Sequence, residues 1–178
     1  MTGEYYITKE LLKQHNLCAD GYRWFCENYP NGGKYQEILD KLCDDDRFVD
    51  ACWLLDEMGA TTDELEINTL EDDNKLICFA GSVIVENRIK VESIRVGAFI
   101  KAGGDIEAGE DIVAGWGIKA GWGIKAGGYI EAGNDYGIYA GLNVRLSEQE
   151  QYGYITAKAK PQNIMCGNWK EEDKLNEK

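Results

Sequence analysis

An isoleucine recurs every six residues through the middle of the chain, and this repeat constrains the fold more than any other feature. The seven positions are Ile94, Ile100, Ile106, Ile112, Ile118, Ile124 and Ile130. Two residues after each comes a small apolar residue, valine once and alanine six times, and a glycine follows directly. Random loops and flexible glycine-rich linkers do not keep such a register, so the unit Ile-x-Ala-Gly-x-x indicates a repeat architecture.

The unit has the right length for one short strand and one corner. In an extended strand, residues i and i+2 point to the same side, so the isoleucine and the alanine face inward and the residue between them faces outward. The glycine and the two variable residues then turn the chain. Three units would close a triangular coil of about 18 residues, whereas a hairpin or a helix pair needs a longer period. The repeat therefore predicts a β-helix in which the isoleucines of successive coils stack.

Looser copies extend the repeat on both sides of an insertion near Asp135 and Tyr136. The upstream copies are Leu65-x-Ile67, Ile77-x-Phe79, Val83-x-Val85 and Ile89-x-Val91. The downstream copies are Ile138-x-Ala140, Val144-x-Leu146, Ile155-x-Ala157 and Ile164-x-Cys166. The register also predicts outward ladders, with Lys125 between Glu107 and Arg145.

The first 73 residues carry no repeat and are predicted to be helical. Apolar residues at i, i+3, i+4 and i+7 mark a helix over residues 34–42, while Thr8 supplies an N-cap and Gly59 a stop. We predict four helices, with residues 44–46, three aspartates, capping the last one. The helical part should cover the open end of the β-helix, because a bare coil exposes unpaired strand edges.

The predicted fold class is α+β. A small N-terminal acidic helical domain (residues 1–64) is followed by a short single-stranded β-helix of six-residue repeats, three per coil (residues 65–167). A polar C-terminal tail (residues 168–178) ends the chain.

The repeat register resembles that of bactofilin-type and other short triangular β-helices. The run GDIEAGEDIVAGWGIKAGWGIKAGGYIEAG (residues 104–133) also resembles glycine-rich β-helical tails on proteins of bacteriophages and mobile elements. This resemblance implies an architecture rather than an activity. The small residue follows the large one here, the reverse of the usual left-handed hexapeptide order, so the pattern leaves the handedness open.

Charge is concentrated in the helical half. The chain has 32 acidic and 19 basic residues, a net charge of −13, and residues 1–73 account for −12 of it. This balance argues against direct nucleic-acid binding, which needs basic groups to displace counterions. The candidate partner-binding carboxylates are Asp44, Asp45, Asp46, Asp50, Glu57, Asp72 and Asp73. They form a solubilising face or replace DNA phosphates in the basic cleft of a protein that handles nucleic acid. A calcium loop is a third alternative, although residues 44–46 lack the alternating spacing and the glycine of an EF-hand.

Two tryptophans are candidates for a second contact surface. Trp116 and Trp122 occupy the same repeat position in adjacent units, directly after the glycine, where a side chain should point outward. An exposed aromatic side chain is a typical binding hot spot. Alternatively, the two rings fold back over Gly117 and Gly123 and cover the backbone. Tyr129 and other tyrosines downstream could extend the same patch.

Patterns for catalysis and metal binding are weak. The sole histidine, His15, lies outside the β-helix, whereas hexapeptide-repeat acyltransferases typically use a histidine in or near it. The six cysteines lack Cys-x-x-Cys spacing and are expected to be reduced thiols. The chain has neither a Gly-x-Ser-x-Gly elbow nor a phosphate-binding loop. We therefore expect no enzyme activity, no cofactor and no metal site.

These patterns predict a non-enzymatic protein–protein interaction protein in the cytoplasm of a bacterial host. It should act as a monomer or small homo-oligomer away from the membrane, because no apolar run reaches the roughly 20 residues of a spanning helix and the first residues do not look like a signal peptide. The most specific form is a phage-type inhibitor of a nucleic-acid-handling complex, such as an anti-CRISPR or DNA-mimic protein. A self-assembling, bactofilin-like scaffold is the alternative, and an acyltransferase is a third hypothesis.

Overall fold

The computed structural model describes residues 5–15 and 17–171, which form a helical domain packed on a β-solenoid. In the helical domain, β1 (Tyr6–Ile7) pairs with β2 (Gly33–Lys34) in antiparallel fashion. The helices are α1 (Lys9–Gln14), α2 (Ala19–Asn28), α3 (Tyr35–Asp44) and α4 (Phe48–Met58). The predicted α+β class, with helices before the solenoid, is confirmed.

Local sequence signals explain several helix boundaries. The Thr8 hydroxyl accepts a hydrogen bond from the Leu11 N–H at 3.2 Å and caps α1 as predicted. Gly59 ends α4 with a φ of 78°, a conformation that costs glycine little. The helices bury their apolar faces in one core, in which Phe25 and Leu39 are almost fully enclosed.

The aspartate run lies at a different helix end from the one predicted. Asp44 is the last residue of α3, Asp45 is its C-cap, and Asp46 adopts a left-handed φ of 56°. Arg47 occupies the N-cap position of α4 and makes no side-chain capping bond there. The capping prediction was therefore wrong. The carboxylates lie where the helix dipole disfavours negative charge, and Lys41 offsets part of that cost by an ion pair with Asp45.

The solenoid has six coils of parallel strands on three faces. Face 1 contains β3 (Glu64–Ile67), β5 (Ser82–Val85), β7 (Ile100–Ala102), β10 (Ile118–Ala120), β13 (Ile138–Tyr139) and β15 (Ile164–Cys166). Face 2 contains the first halves of β4 (Leu70–Phe79) and β6 (Ile89–Val96), then β8 (Ile106–Ala108), β11 (Ile124–Ala126), β14 (Tyr154–Thr156) and β16 (Asn168–Trp169). Face 3 contains the second halves of β4 and β6, then β9 (Ile112–Ala114) and β12 (Ile130–Ala132). At about 4.8 Å per coil, the solenoid is on the order of 25 Å long.

The isoleucines stack in register from coil to coil, as the repeat predicted. On face 1, Ile118 lies between Ile100 and Ile138. On face 3, Ile112 lies beside Ile130. These five side chains are at most 3% exposed. Together with the alanines two residues later, they form one continuous apolar core.

The repeat departs from prediction in the fifth coil. Residues 141–153 leave the coil and contain a short 3-10 turn (Leu146–Glu148) and α5 (Gln149–Tyr152). Leu146 is 93% exposed, so the predicted copy Val144-x-Leu146 was wrong. Consequently Lys125 lies beside Thr156 and not beside Arg145.

The last two copies of the repeat are present. Ile155 and Ile164 lie in β14 and β15 and pair with strands of the coil before. β16 follows within the segment predicted to be a polar tail and pairs with β14. The solenoid thus extends two residues beyond its predicted end at residue 167, while residues 172–178 of the predicted tail lie outside the described residues.

Alternating side chains of β4 join the two parts of the molecule. Ile77 and Phe79 point into the solenoid core, whereas Leu76, Cys78 and Ala80 pack into the core of the helical domain. A single strand therefore belongs to both cores, and this fixes the helical domain against face 3 of the first coil.

The side chain of Gln36 on α3 covers the open edge of β4. Its amide donates to the Cys78 carbonyl at 2.9 Å, and its carbonyl accepts from the Ala80 N–H at 2.9 Å. The Thr61 N–H donates to the Ala80 carbonyl at 2.9 Å. The helical domain thus covers the first-coil edge on face 3, whereas on face 1 β3 is the terminal strand of its sheet in the described part of the chain.

The stacked core predicts a sharp difference between neighbouring residues of β9. Ile112→Asp places an unpaired carboxylate among apolar side chains, which should cost on the order of 5 kcal/mol and abolish cooperative unfolding. Val113→Asp is the matched control, because Val113 faces outward from the same strand. Thermal unfolding followed by circular dichroism compares the two. Equal melting temperatures would show that the assigned register is wrong.

The two hydrogen bonds of Gln36 to the edge of β4 predict a second effect on stability. Gln36→Leu leaves the Cys78 carbonyl and the Ala80 N–H without partners, which should cost about 1–3 kcal/mol for each group. Gln14→Leu, at an exposed glutamine of α1, is the control and should change little. Urea unfolding measures both. A Gln36→Leu variant as stable as the wild type would mean that water replaces the amide.

Candidate protein-binding surfaces

The three aspartates at the end of α3 are exposed, but neighbouring side chains hold only one of them. The Asp45 carboxylate accepts a hydrogen bond from Lys41 and another from the Trp24 indole at 2.8 Å. These donors, Lys41 foremost, lower the pKa of Asp45. Asp44 and Asp46 form no ion pair within the described part of the chain. They therefore remain free to meet a partner.

The acidic candidates on α4 are engaged in contacts inside the helical domain. Arg47 lies 2.6 Å from Asp50 and 2.8 Å from Asp20 of α2. Glu57 lies 2.8 Å from the Nδ1 atom of His15, which follows α1. Arg47 links the start of α4 to α2 through Asp20, and the contact of His15 with Glu57 links its last turn to α1, while Asp50 pairs with Arg47 inside the first turn of α4. Asp50 therefore offers less free charge than the sequence suggested, and the Glu57 carboxylate is already engaged in a contact.

The remaining acidic candidates lie on the first coil. Asp72 and Asp73 are exposed on β4, where Asp73 pairs with Lys90 of the next coil at 2.9 Å. The Asp72 carboxylate accepts only a local hydrogen bond, from the Asn74 N–H at 3.2 Å. Like Asp44, Asp72 forms no ion pair within the described part of the chain.

Several exposed carboxylates lie at the start of the solenoid. Lys75 of β4 lies close enough to Asp40 to favour its ionised form, and Asp44 opposes it. This interaction places the outer side of α3 beside the acidic stretch of β4. Glu64 and Glu66 are exposed on β3 of the same coil. We call this surface the acidic end; its members are Asp40, Asp44, Glu64, Glu66, Asp72 and Asp73.

Trp116 and Trp122 lie at different corners of the solenoid and do not share a patch. Trp116, 37% exposed, stacks on Tyr136 at 5.7 Å and meets Phe99 edge-on at 5.1 Å, before face 1. Trp122, 45% exposed, contacts Tyr152 at 5.5 Å, after face 1. The separation of the two tryptophans follows from the three units in each coil, because adjacent units occupy successive corners.

Neither tryptophan covers the glycine that follows it. A Cβ atom at Gly117 would lie 3.1 Å from the Phe99 ring, and one at Gly123 would lie 2.8 Å from the Tyr154 ring. Aromatic rings of adjacent coils therefore occupy both spaces. The tryptophans are left at the surface, which makes the hypothesis that they fold back over the backbone wrong.

Three thiols lie together at the junction of the two parts. The Cys52 thiol of α4 interacts with the Cys78 thiol of β4, and this hydrogen bond, helped by Arg95, lowers the pKa of Cys52. The same bond, with burial, raises the pKa of Cys78, and burial raises the pKa of Cys43 to about 12. No sequence motif predicts this contact, since the three cysteines lie 9 to 35 residues apart.

The described residues contain no group of three or more His, Cys, Asp and Glu side chains positioned to hold a metal ion. Within the same residues, no helix is both long and apolar enough to cross a membrane.

The comparisons with known proteins concern the helical part. The family described as the YdhT N-terminal domain matches residues 1–61, which contain α1 to α4. The match covers about a third of the chain and leaves the solenoid outside, so it supports neither the bactofilin-like nor the anti-CRISPR resemblance. No curated protein and no solved structure matches the chain.

The surroundings of Asp40 on α3 and of Asp45, the C-cap of that helix, predict opposite effects of pH on their contributions to stability. Desolvation raises the pKa of Asp40, so its ionised form destabilises the fold at pH 7 and this cost disappears as the pH falls through the raised pKa. Asp40→Asn should therefore raise the melting temperature at pH 7 and have little effect near pH 3. Asp45 is the matched control, because its pKa is lowered. Asp45→Asn should reduce stability at pH 7 and lose this effect as the pH falls. Effects of the same sign for both variants would contradict these assignments.

Proposed function

We propose that this protein is a non-enzymatic binding protein whose acidic end engages a basic, nucleic-acid-binding surface of a protein partner. The supporting observation is the clustering of exposed carboxylates on α3 and the first coil, several of which form no ion pair within residues 5–15 and 17–171. The narrower proposal is an inhibitor of a nucleic-acid-handling complex in a bacterial host, such as a CRISPR effector.

The arrangement of the carboxylates supports electrostatic attraction more than a copy of DNA. Glu64 and Glu66 lie two residues apart on one strand, about 7 Å along it, and the other members of the acidic end lie on α3 and β4. A DNA strand carries its charges in one unbroken row, one per about 3.4 Å of helix axis, and these separate elements do not form such a row. The acidic end therefore acts through its summed field, which accelerates association with a basic cleft and is screened by salt.

The side-chain contacts of three candidate carboxylates narrow the proposed site. Asp50 pairs with Arg47 in the first turn of α4, Glu57 contacts His15, and Asp45 is held by Lys41 and Trp24. Their removal should affect folding as much as binding. The proposed contact residues are those of the acidic end, with Asp46 beside them.

A self-assembling scaffold is the second candidate, because strand edges are open at the solenoid ends. β3 and β15 are the outermost strands of their sheet in the described part of the chain. However, Glu64 and Glu66 place charge on the β3 edge, and charged edge strands oppose edge-to-edge pairing. We therefore expect a monomer or small oligomer by light scattering; long filaments in negative-stain images would favour the scaffold.

The test compares two variants of equal net charge. The first neutralises the acidic end with Asp44→Asn, Glu64→Gln, Glu66→Gln and Asp72→Asn. The control neutralises four exposed carboxylates elsewhere, with Glu10→Gln, Glu27→Gln, Glu148→Gln and Glu150→Gln. Each protein is used to capture partners from bacterial lysate, and a purified partner is then titrated at low and high salt.

We expect the wild type and the control to retain a basic protein that duplex DNA displaces. The acidic-end variant should bind that partner about tenfold or more weakly, with a smaller dependence on salt. Equal binding by both variants would contradict the proposal, as would a partner that is lost only when Trp116 and Trp122 are changed to alanine.

A further inference from the structure

A second surface lies on face 1 and on the corner before it, away from the acidic carboxylates of β4. Its side chains touch in one continuous series. Tyr136 stacks on Trp116, and Trp116 meets the edge of Phe99. The Lys119 ammonium then lies 5.3 Å from the Phe99 ring centre and 5.8 Å from that of Tyr139. We call these five residues the aromatic face.

The charge on this surface is opposite to that of the whole molecule. Lys101 and Lys119 occupy outward positions on adjacent strands and lie directly beside each other. Like charges in that arrangement are unfavourable. In the described residues neither lysine forms an ion pair, although the chain carries 32 acidic residues. The nearest carboxylate along the chain from the stacked rings is Asp135, which precedes Tyr136.

We propose that the aromatic face and Lys101 form a docking site for a protein segment that carries one or two carboxylates between apolar side chains. The carboxylates pair with Lys101 and Lys119 and relieve their mutual repulsion. The apolar side chains pack on Trp116 and Tyr136, which are 37% and 38% exposed. Because the rings already support one another, little side-chain entropy is lost on binding.

Other occupants fit this surface less well. Single-stranded nucleic acid also stacks on aromatic rings, but it needs a basic groove that follows several phosphates, and here two lysines face a net charge of −13. In a second copy of this chain, Glu64 and Glu66 of β3 alternate with Leu65 and Ile67, which pack against the solenoid core. Such an edge offers carboxylates without accessible apolar neighbours.

The probe is a random 12-residue peptide library displayed on phage and selected against the full-length protein. We expect a consensus with acidic residues between apolar ones. A synthetic consensus peptide is then titrated by fluorescence anisotropy. In a spectrum of the protein with 15N-labelled indoles, the Trp116 signal should shift, while those of the other four tryptophans should not.

Variants decide whether the peptide binds where we propose. Trp116→Ala, and separately Lys101→Glu with Lys119→Glu, should each weaken binding about tenfold or more. Trp122→Ala is the matched control, an exposed tryptophan at the next corner, and should bind normally. Because Trp116 packs against Phe99, the melting temperature of each variant is measured, and the lysine variant tests the site without removing a ring.

The docking site is independent of the proposed function. The variant with the neutralised acidic end should bind the peptide at least as tightly as the wild type, because Glu66 lies two strands from Lys101 on face 1 and its charge opposes an acidic ligand. Four results would overturn the docking proposal: a selection without an acidic and apolar consensus, peptide binding unaffected by the lysine variant, tighter binding of a (dT)12 oligonucleotide at these residues, or self-association that Trp116→Ala abolishes.

Discussion

The in-register stacking of isoleucines is the constraint on which the rest of the molecule depends. In the third and fourth coils, each face places one isoleucine and one alanine inward, and the parallel ladder keeps them aligned. Backbone hydrogen bonds and apolar burial therefore specify the same register. The same register fixes the positions of the outward side chains. Lys101 lies beside Lys119 because the isoleucines that precede them are paired.

The strand β4 connects the solenoid to the helical domain. Its side chains alternate between two cores, and Gln36 replaces the missing neighbour strand with two hydrogen bonds. A side-chain amide offers one donor and one acceptor, as a peptide group does, so it completes an edge without adding a strand. The helical domain is thereby attached by packing and by polar pairing at once.

Charge is separated along the molecule. Carboxylates gather on α3 and the first coil, while β7 and β10, further along face 1, carry Lys101 and Lys119 beside aromatic rings; neither lysine forms an ion pair within the described residues. Part of the acidity is engaged inside the helical domain: Arg47 forms an ion pair with Asp50, and the His15 ring lies within hydrogen-bond distance of Glu57. The two surfaces differ in chemistry, one suited to a basic cleft and the other to an acidic and apolar segment, and they can be varied separately.

The sequence by itself determined the solenoid, its register and its three-unit coil, because a periodic apolar pattern is local information repeated many times. It also located the helices and the acidity. Only the tertiary structure decided which carboxylates are free, since Glu57 finds its partner 42 residues away. The tertiary structure also decided that the three aspartates lie at the end of α3 and not at the start of α4. It decided as well that residues 141–153 form turns and a short helix where the sequence offers only a weak copy of the repeat. Side-chain partners distant in sequence are chosen by packing, and the periodic pattern carries no information about that choice.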